Sequence, residues 1–198
     1  MAMPSTMVPL ATPAVPFTLI DTISGKLVTL DEVKSDKATV IMFICNHCPY
    51  VKHVNAQLVQ LAQDYQPKGV SFIAISANDA QTYPDDGPAN MQAVAAQEGY
   101  PFPYLYDETQ EVARAYNAAC TPDTFIYDAD MRLAYRGQLD DSRPGNNLPV
   151  TAQDVRAALD ALLAGRAPDP NQKPSVGCSI KWKLKPRPNF YYKCHKKR

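Results

Sequence analysis

The chain has 198 residues, 45% of them hydrophobic and 20% charged, with 20 basic and 20 acidic side chains. That length suits one domain with some surplus, and the balance excludes wholesale disorder, coiled coils and collagen-like repeats. The longest apolar run, residues 40–45, falls far short of the ~20 residues of a membrane span, and the N-terminus lacks a signal-peptide pattern, so a cytoplasmic protein with no membrane contact is expected.

The zero net charge is unevenly laid out. Nine cations and no acid fall within residues 173–198, which leaves 11 cations against 20 acids in residues 1–172, a net of −9. A short basic tail beside an acidic body is expected to be solvated or to fold back onto it, and no nucleic-acid partner is expected.

Residues 1–16, with prolines at 4, 9, 13 and 16 and no period, read as an extended N-terminal arm. Residues 17–20 and 26–28 flank a turn at 21–25, which predicts an N-terminal β-hairpin. Residues 38–45 are continuously apolar and β-branched, the pattern of a strand covered on both faces. After Pro49, the residues Val51, Val54, Leu58, Leu61 and Tyr65 mark one face of a helix, with Pro49 suited to its first position. Residues 70–75, following Gly69, make a second buried strand and so a parallel strand–helix–strand unit.

A loop rich in Pro, Asp and Gly at 78–88 leads to a helix over 88–98 closed by Gly99. Asp107 and Gln110 form a capping-box pattern before a short helix at 112–116. Residues 124–127 and 133–135 bracket 128–130 as an antiparallel hairpin. Thr151 with Asp154 is expected to cap a last helix carrying Val155, Leu159, Leu162 and Leu163, stopped by Gly165. Regular structure should end beyond Pro168, although Ile180 and Trp182 alternate with Lys181 and Lys183 like an extended segment with one buried face. The expected organisation is an arm at 1–16, an α/β domain at 17–170 and a basic tail at 171–198 packing partly on the domain.

Five cysteines, an odd number, argue for reduced, catalytic or metal-binding thiols rather than a disulfide scaffold. They are Cys45, Cys48, Cys120, Cys178 and Cys194. A cysteine at the mouth of a helix feels the positive end of the macrodipole and free backbone N–H groups, which favour thiolate. Cys48, directly before Pro49, holds that position, and His47, Lys52 and His53 add cationic character when protonated. The alternative is a small buried hydrophobe.

The strings Cys45-Asn46-His47-Cys48-Pro49, Cys120-Thr121-Pro122-Asp123, Asp140-Asp141-Ser142-Arg143-Pro144-Gly145-Asn146 and Gly177-Cys178-Ser179-Ile180-Lys181-Trp182, in this order, resemble the thioredoxin superfamily and, more narrowly, its peroxiredoxin-like AhpC/TSA (redoxin) branch. The resemblance covers residues 15–184 and implies a thioredoxin-like fold, a central mixed β-sheet flanked by helices. It implies a thiol-disulfide oxidoreductase or thiol-dependent antioxidant protein with Cys48 as attacking thiolate and Cys45 and Cys120 as further catalytic thiols, with core packing at the end of the buried strand as the alternative role of Cys45. Thr121 and Pro122 match the cis-proline element that faces the reactive cysteine and presents backbone to an extended substrate; an ordinary trans proline is the alternative.

True peroxiredoxins carry Thr or Ser three positions before the reactive cysteine, where this chain has Cys45, and an Arg near the later strand, absent from residues 119–123. Arg143 is the candidate substrate-binding charge, with an ion pair to Asp140 or Asp141 as the competing role. The alternative functions are a peroxiredoxin-like peroxide reductase and a redox-inactive or metal-carrying module built on Cys45, His47, Cys48 and His53, or on Cys194 and His195. No cofactor and no resident metal is assigned, and no phosphate loop or dinucleotide fingerprint is present. The expected partners are a disulfide or peroxide substrate and an external thiol reductant, with a homodimer left open. The candidate partners of Cys48 rank Cys45, then Cys120, then Cys178, the last requiring the tail to reach the site.

Overall fold

A computed structural model describes residues 2–184, so Cys194, His195 and the end of the basic tail lie outside the described residues. The elements follow as β1 (Ala2–Pro4), β2 (Thr18–Asp21), β3 (Leu27–Thr29), α1 (Leu30–Val33), β4 (Ala38–Phe43) and α2 (Pro49–Tyr65). Next come β5 (Val70–Ser76), α3 (Pro88–Glu98), β6 (Tyr104–Tyr106), α4 (Glu111–Ala115), β7 (Cys120–Thr121), β8 (Asp123–Asp128), β9 (Leu133–Gly137), α5 (Gln153–Leu163) and β10 (Val176–Ser179).

All six residues of β4 are buried because the strand lies inside a seven-stranded sheet with both faces covered. The strand order is β3-β2-β6-β5-β4-β8-β9. β4 runs parallel to β5 and antiparallel to β8, so the sheet is mixed. The two-residue period of the strand sends Ala38, Val40 and Met42 into one apolar cluster and Ile41 and Phe43 into another. The first cluster contains Val51, Leu58, Met91, Val155 and Leu159 from α2, α3 and α5; the second contains Leu30 and Ala113 from α1 and α4. Helices thus flank a central mixed sheet on both faces, the thioredoxin-like α/β arrangement.

α2 begins with Pro49 at its first position and buries the stripe Val51, Val54, Leu58, Leu61 and Tyr65. Beyond Gln66 a short 3₁₀ turn leads to Gly69, whose φ of 89° suits glycine and turns the chain into β5.

Several local expectations differ from the fold. The N-terminal arm is laid on the body: β1 pairs antiparallel with β10, Ala11 N–H donates to Leu133 O (2.8 Å), and Ala14 N–H donates to Met131 O (2.9 Å). Regular structure resumes after Pro168 as β10, the middle strand of a second, three-stranded sheet of order β1-β10-β7. Neither capping box forms. Ala113 N–H donates to Asp107 Oδ2 (2.8 Å), while the Gln110 amide reaches Ala77 O (2.6 Å) and Lys181 O (2.9 Å). At α5 the cap is Ala152, and the Thr151 and Ala152 N–H groups both donate to Asp140 Oδ2 at 2.6 Å. A carboxylate from a loop twelve residues away displaces the local cap because it satisfies two orphan donors at once.

Candidate active site

β4 ends at Phe43, and Ile44 N–H extends its ladder by one bond to Ile75 O (3.0 Å). The chain then turns through Cys45, Asn46 and His47 to Cys48, the N-cap of α2. A single fully buried carboxylate, Asp86, pins this turn. Asp86 Oδ1 accepts from Asn46 N–H (2.8 Å) and His47 N–H (3.2 Å); Asp86 Oδ2 accepts from Asn78 Nδ2 (2.8 Å) and lies 2.5 Å from His47 Nδ1. Asn46 is fixed from both ends, its amide donating to Asp85 O (2.7 Å) and its Oδ1 accepting from Tyr104 O–H (3.0 Å). Burying a carboxylate is costly unless its oxygens are satisfied, and here the satisfaction is supplied by the loop it holds.

Cys48 has no exposed surface, and Cys45 is 1% exposed. Opposite them stands the turn Thr121–Pro122, whose peptide bond is cis. As a thiol, Cys48 Sγ donates to Thr121 O at 3.2 Å, and Cys45 Sγ lies 3.3 Å from Thr121 Oγ1. The Cys48 pKa is depressed: a hydrogen bond from the Cys45 thiol lowers it most, burial opposes, and the Cys178 thiol, Thr121 and the Val51 N–H lower it further. Cys45 moves the opposite way, because its proton is held for Cys48, because it is buried, and because Asp86 is near. In this pair Cys48 carries the charge, since it alone sits at the helix mouth.

The other expected site residues divide. Cys120 is buried, its Sγ donates to the Pro122 carbonyl at 3.7 Å, and burial with the nearby Asp123 charge raises its pKa. Arg143 makes no ion pair with Asp140 or Asp141; its guanidinium donates to Asp140 O (2.6 Å), to Ser142 O (2.7 Å) and to Gln138 Oε1. It lines a cleft with Tyr50, His53, Pro122 and Val176, beside the cis peptide. Neither histidine hydrogen-bonds the Cys48 sulfur. His47 turns to Asp86 and stacks on Tyr83 (5.6 Å between centroids), and His53 Nε2 lies 2.7 Å from Ser142 Oγ.

Three features escape the sequence reading. Asp86 sits in the loop at 78–88, where nothing in spacing separates it from Asp79 or Asp85. Arg136 of β9 is fully buried in an ion pair with Asp123 (2.9 Å) just past the cis peptide. β10 pairs with β7 in the register Cys178↔Thr121, so the Thr121 backbone is already occupied by the chain itself.

Among the described residues, Cys45 Sγ, His47 Nδ1 and an Asp86 oxygen lie within 4.8 Å of one another and form the one group of at least three such side chains able to hold a metal ion. No helix among the described residues is long and apolar enough to cross a membrane.

Residues 10–136 match the AhpC/TSA family. No curated protein shows significant similarity to the chain. Among solved structures, an uncharacterized conserved protein from Geobacillus kaustophilus is 64% identical, with a TM-score of 0.93 over 94% of this chain and 98% of that one. A hypothetical protein from Sinorhizobium meliloti 1021 is 46% identical, with a TM-score of 0.90 over 92% and 99% of the two chains. At the level of fold, a thiol:disulfide interchange protein of the thioredoxin family from Chlorobium tepidum TLS superposes with a TM-score of 0.60 at 20% identity, over 79% of this chain and 99% of that one.

Proposed function

The chain belongs to the AhpC/TSA family, and on that premise we propose that it is a thiol-dependent oxidoreductase in which Cys48 is the attacking thiolate. The observation that carries this reading is the seat of Cys48: the N-cap of α2, with Pro49 next, facing Thr121–Pro122, and with neighbours that lower its pKa. A thiolate, not a thiol, is the nucleophile. With a peroxide, Cys48 Sγ attacks the terminal oxygen, the O–O bond breaks, an alcohol or water leaves and Cys48 becomes a sulfenic acid. With a disulfide, it attacks one sulfur, the S–S bond breaks, one thiolate leaves and a mixed disulfide remains.

In this reading Cys45 stabilises the thiolate by donating its S–H, and Pro122 forms the wall against which the substrate is held, while Thr121, its backbone taken by β10, contacts the two sulfurs. Arg143, held in its loop, gives positive character to the neighbouring cleft. Cys120 stays outside the chemistry because its thiol bonds to its own turn and its pKa is raised, so it keeps its proton. A cytoplasmic location follows the odd number of cysteines, which argues against a disulfide scaffold. An external thiol returns the enzyme to its reduced state.

The test is turnover of hydrogen peroxide, and separately of a small disulfide, with dithiothreitol as reductant. Turnover of either is expected, and Cys48→Ser should abolish it with an unchanged circular dichroism spectrum. Undiminished turnover in that variant would sink the assignment.

A second reading, a metal-carrying module, draws on the Cys45, His47 and Asp86 cluster. It ranks lower because Asp86 already accepts from three nitrogens besides His47 Nδ1, which leaves little of the carboxylate for a metal. Metal analysis of protein purified without chelator checks it, and stoichiometric zinc or copper would reverse the order.

A further inference from the structure

A thiolate that has been oxidised needs a second thiol, and that thiol must meet three conditions. It must lie beside Cys48, it must be able to move onto it, and the resulting bridge must be open to an external reductant. Cys45 meets the first condition only. It is buried, and its turn is pinned through Asn46 and His47 to Asp86. Cys120 meets neither of the last two, being buried and bonded to Pro122 O.

Cys178 meets the first and the last, and it sits on a four-residue strand rather than in a pinned turn. Its side chain packs against the apolar cluster that contains Cys48, and its thiol is among the groups that act on the Cys48 sulfur. Of the four cysteines among the described residues it alone is not buried. Its pKa is raised to about 11, by burial first and then by the neighbouring Cys48, so at neutral pH it keeps its proton and leaves Cys48 as the nucleophile of the pair.

The strand that carries it is built for this approach. β10 lies on the backbone edge of Thr121, the edge to which an extended substrate would pair in this fold, in the register Cys178↔Thr121. The approach depends on Gly177. A Cβ there would lie 2.0 Å from Thr121 O and 2.6 Å from the Thr121 carbonyl carbon, closer than any side chain allows. Both flanks of β10 are tied down. Ser175 N–H donates to Ser5 Oγ (3.1 Å) on one side, and on the other Ile180 N–H donates to Ala119 O (3.1 Å) and Lys181 N–H to Asn78 Oδ1 (2.8 Å). Only short strands pair with the segment in between, three residues of β1 and two of β7.

We infer that β10 takes the place of a polypeptide on the Thr121 edge and delivers Cys178 as the in-chain resolving thiol of Cys48. The inference rests on Cys48 being the oxidised thiol. Starting from the sulfenic acid, Cys178 Sγ attacks Cys48 Sγ, the S–O bond breaks, and the departing hydroxide takes up the Cys178 proton to leave as water, forming the Cys48–Cys178 disulfide. Starting from a mixed disulfide, the same attack breaks the S–S bond to the substrate, and the departing substrate thiolate takes up the Cys178 proton and leaves as a thiol. A dithiol reductant then supplies two electrons and two protons and restores both thiols.

The experiment oxidises the reduced full-length protein with one equivalent of hydrogen peroxide, alkylates free thiols and maps peptides without reduction. Dimedone in a parallel sample traps sulfenic acid. The expected result is a dominant intramolecular Cys48–Cys178 bridge in the wild type; in Cys178→Ser the bridge is lost and dimedone accumulates on Cys48. A dominant bridge from Cys48 to Cys45, Cys120 or Cys194, or sulfenic acid that persists equally in the wild type, overturns the assignment of Cys178 while Cys48 stands as the oxidised thiol. A Cys48 that peroxide leaves unoxidised removes both this inference and the proposed function beneath it.

Discussion

At the scale of single residues, Cys48 and Asp86 divide the work between charge and position. Stabilising the Cys48 thiolate is also a stabilisation of the fold, with a definite sign. The folded pKa lies below the unfolded value of ~8.5, so the unfolded chain binds more protons between the two values and stability rises with pH across that window. The contribution is complete above ~8.5 and is lost as pH falls through the folded pKa. The melting temperature of the wild type relative to Cys48→Ser should therefore climb with pH up to about 8.5 and then level off; a pH-independent difference would show that the thiolate is not stabilised. Asp86 acts through geometry. Asp86→Asn puts an amide N–H₂ where one carboxylate oxygen accepted, so at least one buried donor is stranded at a cost of about 1–3 kcal/mol, to be read by urea unfolding. A loss under half a kcal/mol would mean that the turn is held by something else.

At the scale of elements, β10 and its glycine decide how the site is covered. Gly177→Ala forces the strand away from Thr121, and crowding of this kind costs about 1–3 kcal/mol. A bulky maleimide should then label Cys48 faster than in the wild type, where no surface of Cys48 is exposed. Unchanged stability together with unchanged labelling would mean that β10 does not cover the thiol.

β10 also shows why parts of the fold were hidden in the chain. β4, α2, β5 and α5 carry long runs or clear periods and α3 is bracketed by Pro88 and Gly99, all of them local properties. β1, β6, β7 and β10 span two to four residues each. They exist because of partners far away in sequence, as in Ala2↔Cys178 and Thr121↔Cys178, and no window along the chain contains both sides. The same holds at the site. The seat of Cys48 is readable from a strand running into Pro49, whereas the Asp86 clasp and the nearness of Cys178 come from a loop and a strand brought in by tertiary packing. Asp107, Gln110, Thr151 and Asp154 mislead for a related reason: each looks like a local cap, yet Gln110 holds Lys181 and Lys183, and Asp154 accepts from Gln138.

At the scale of the whole molecule, the small sheet and the charge asymmetry meet in the segment after Gln172. This segment carries nine cations, supplies β10, and inserts Ile180 into the second apolar cluster, where burial leaves it 3% exposed. Trp182 lies under the Arg114 guanidinium at 4.3 Å, and Lys173 pairs with Asp141 at 2.9 Å. Ending the chain after Gln172 removes all of these at once. Loss of buried Ile180 alone costs about 1.5–3 kcal/mol, and the truncation also leaves β1 and β7 without their middle strand. The melting temperature should fall by several degrees at least, since ~1 kcal/mol corresponds to about 2–4 °C at this size. Charge adds a second signature. The truncated chain keeps a net of −9, so its acids repel one another without the basic segment, and salt, which shortens the Debye length to about 10 Å at 0.1 M, should raise its melting temperature more than it raises that of the full chain. Differential scanning calorimetry of both proteins across a salt series separates the two effects. An unchanged melting temperature would show that β10 and Ile180 add nothing to the core, and a large drop with equal salt response would assign the loss to packing alone.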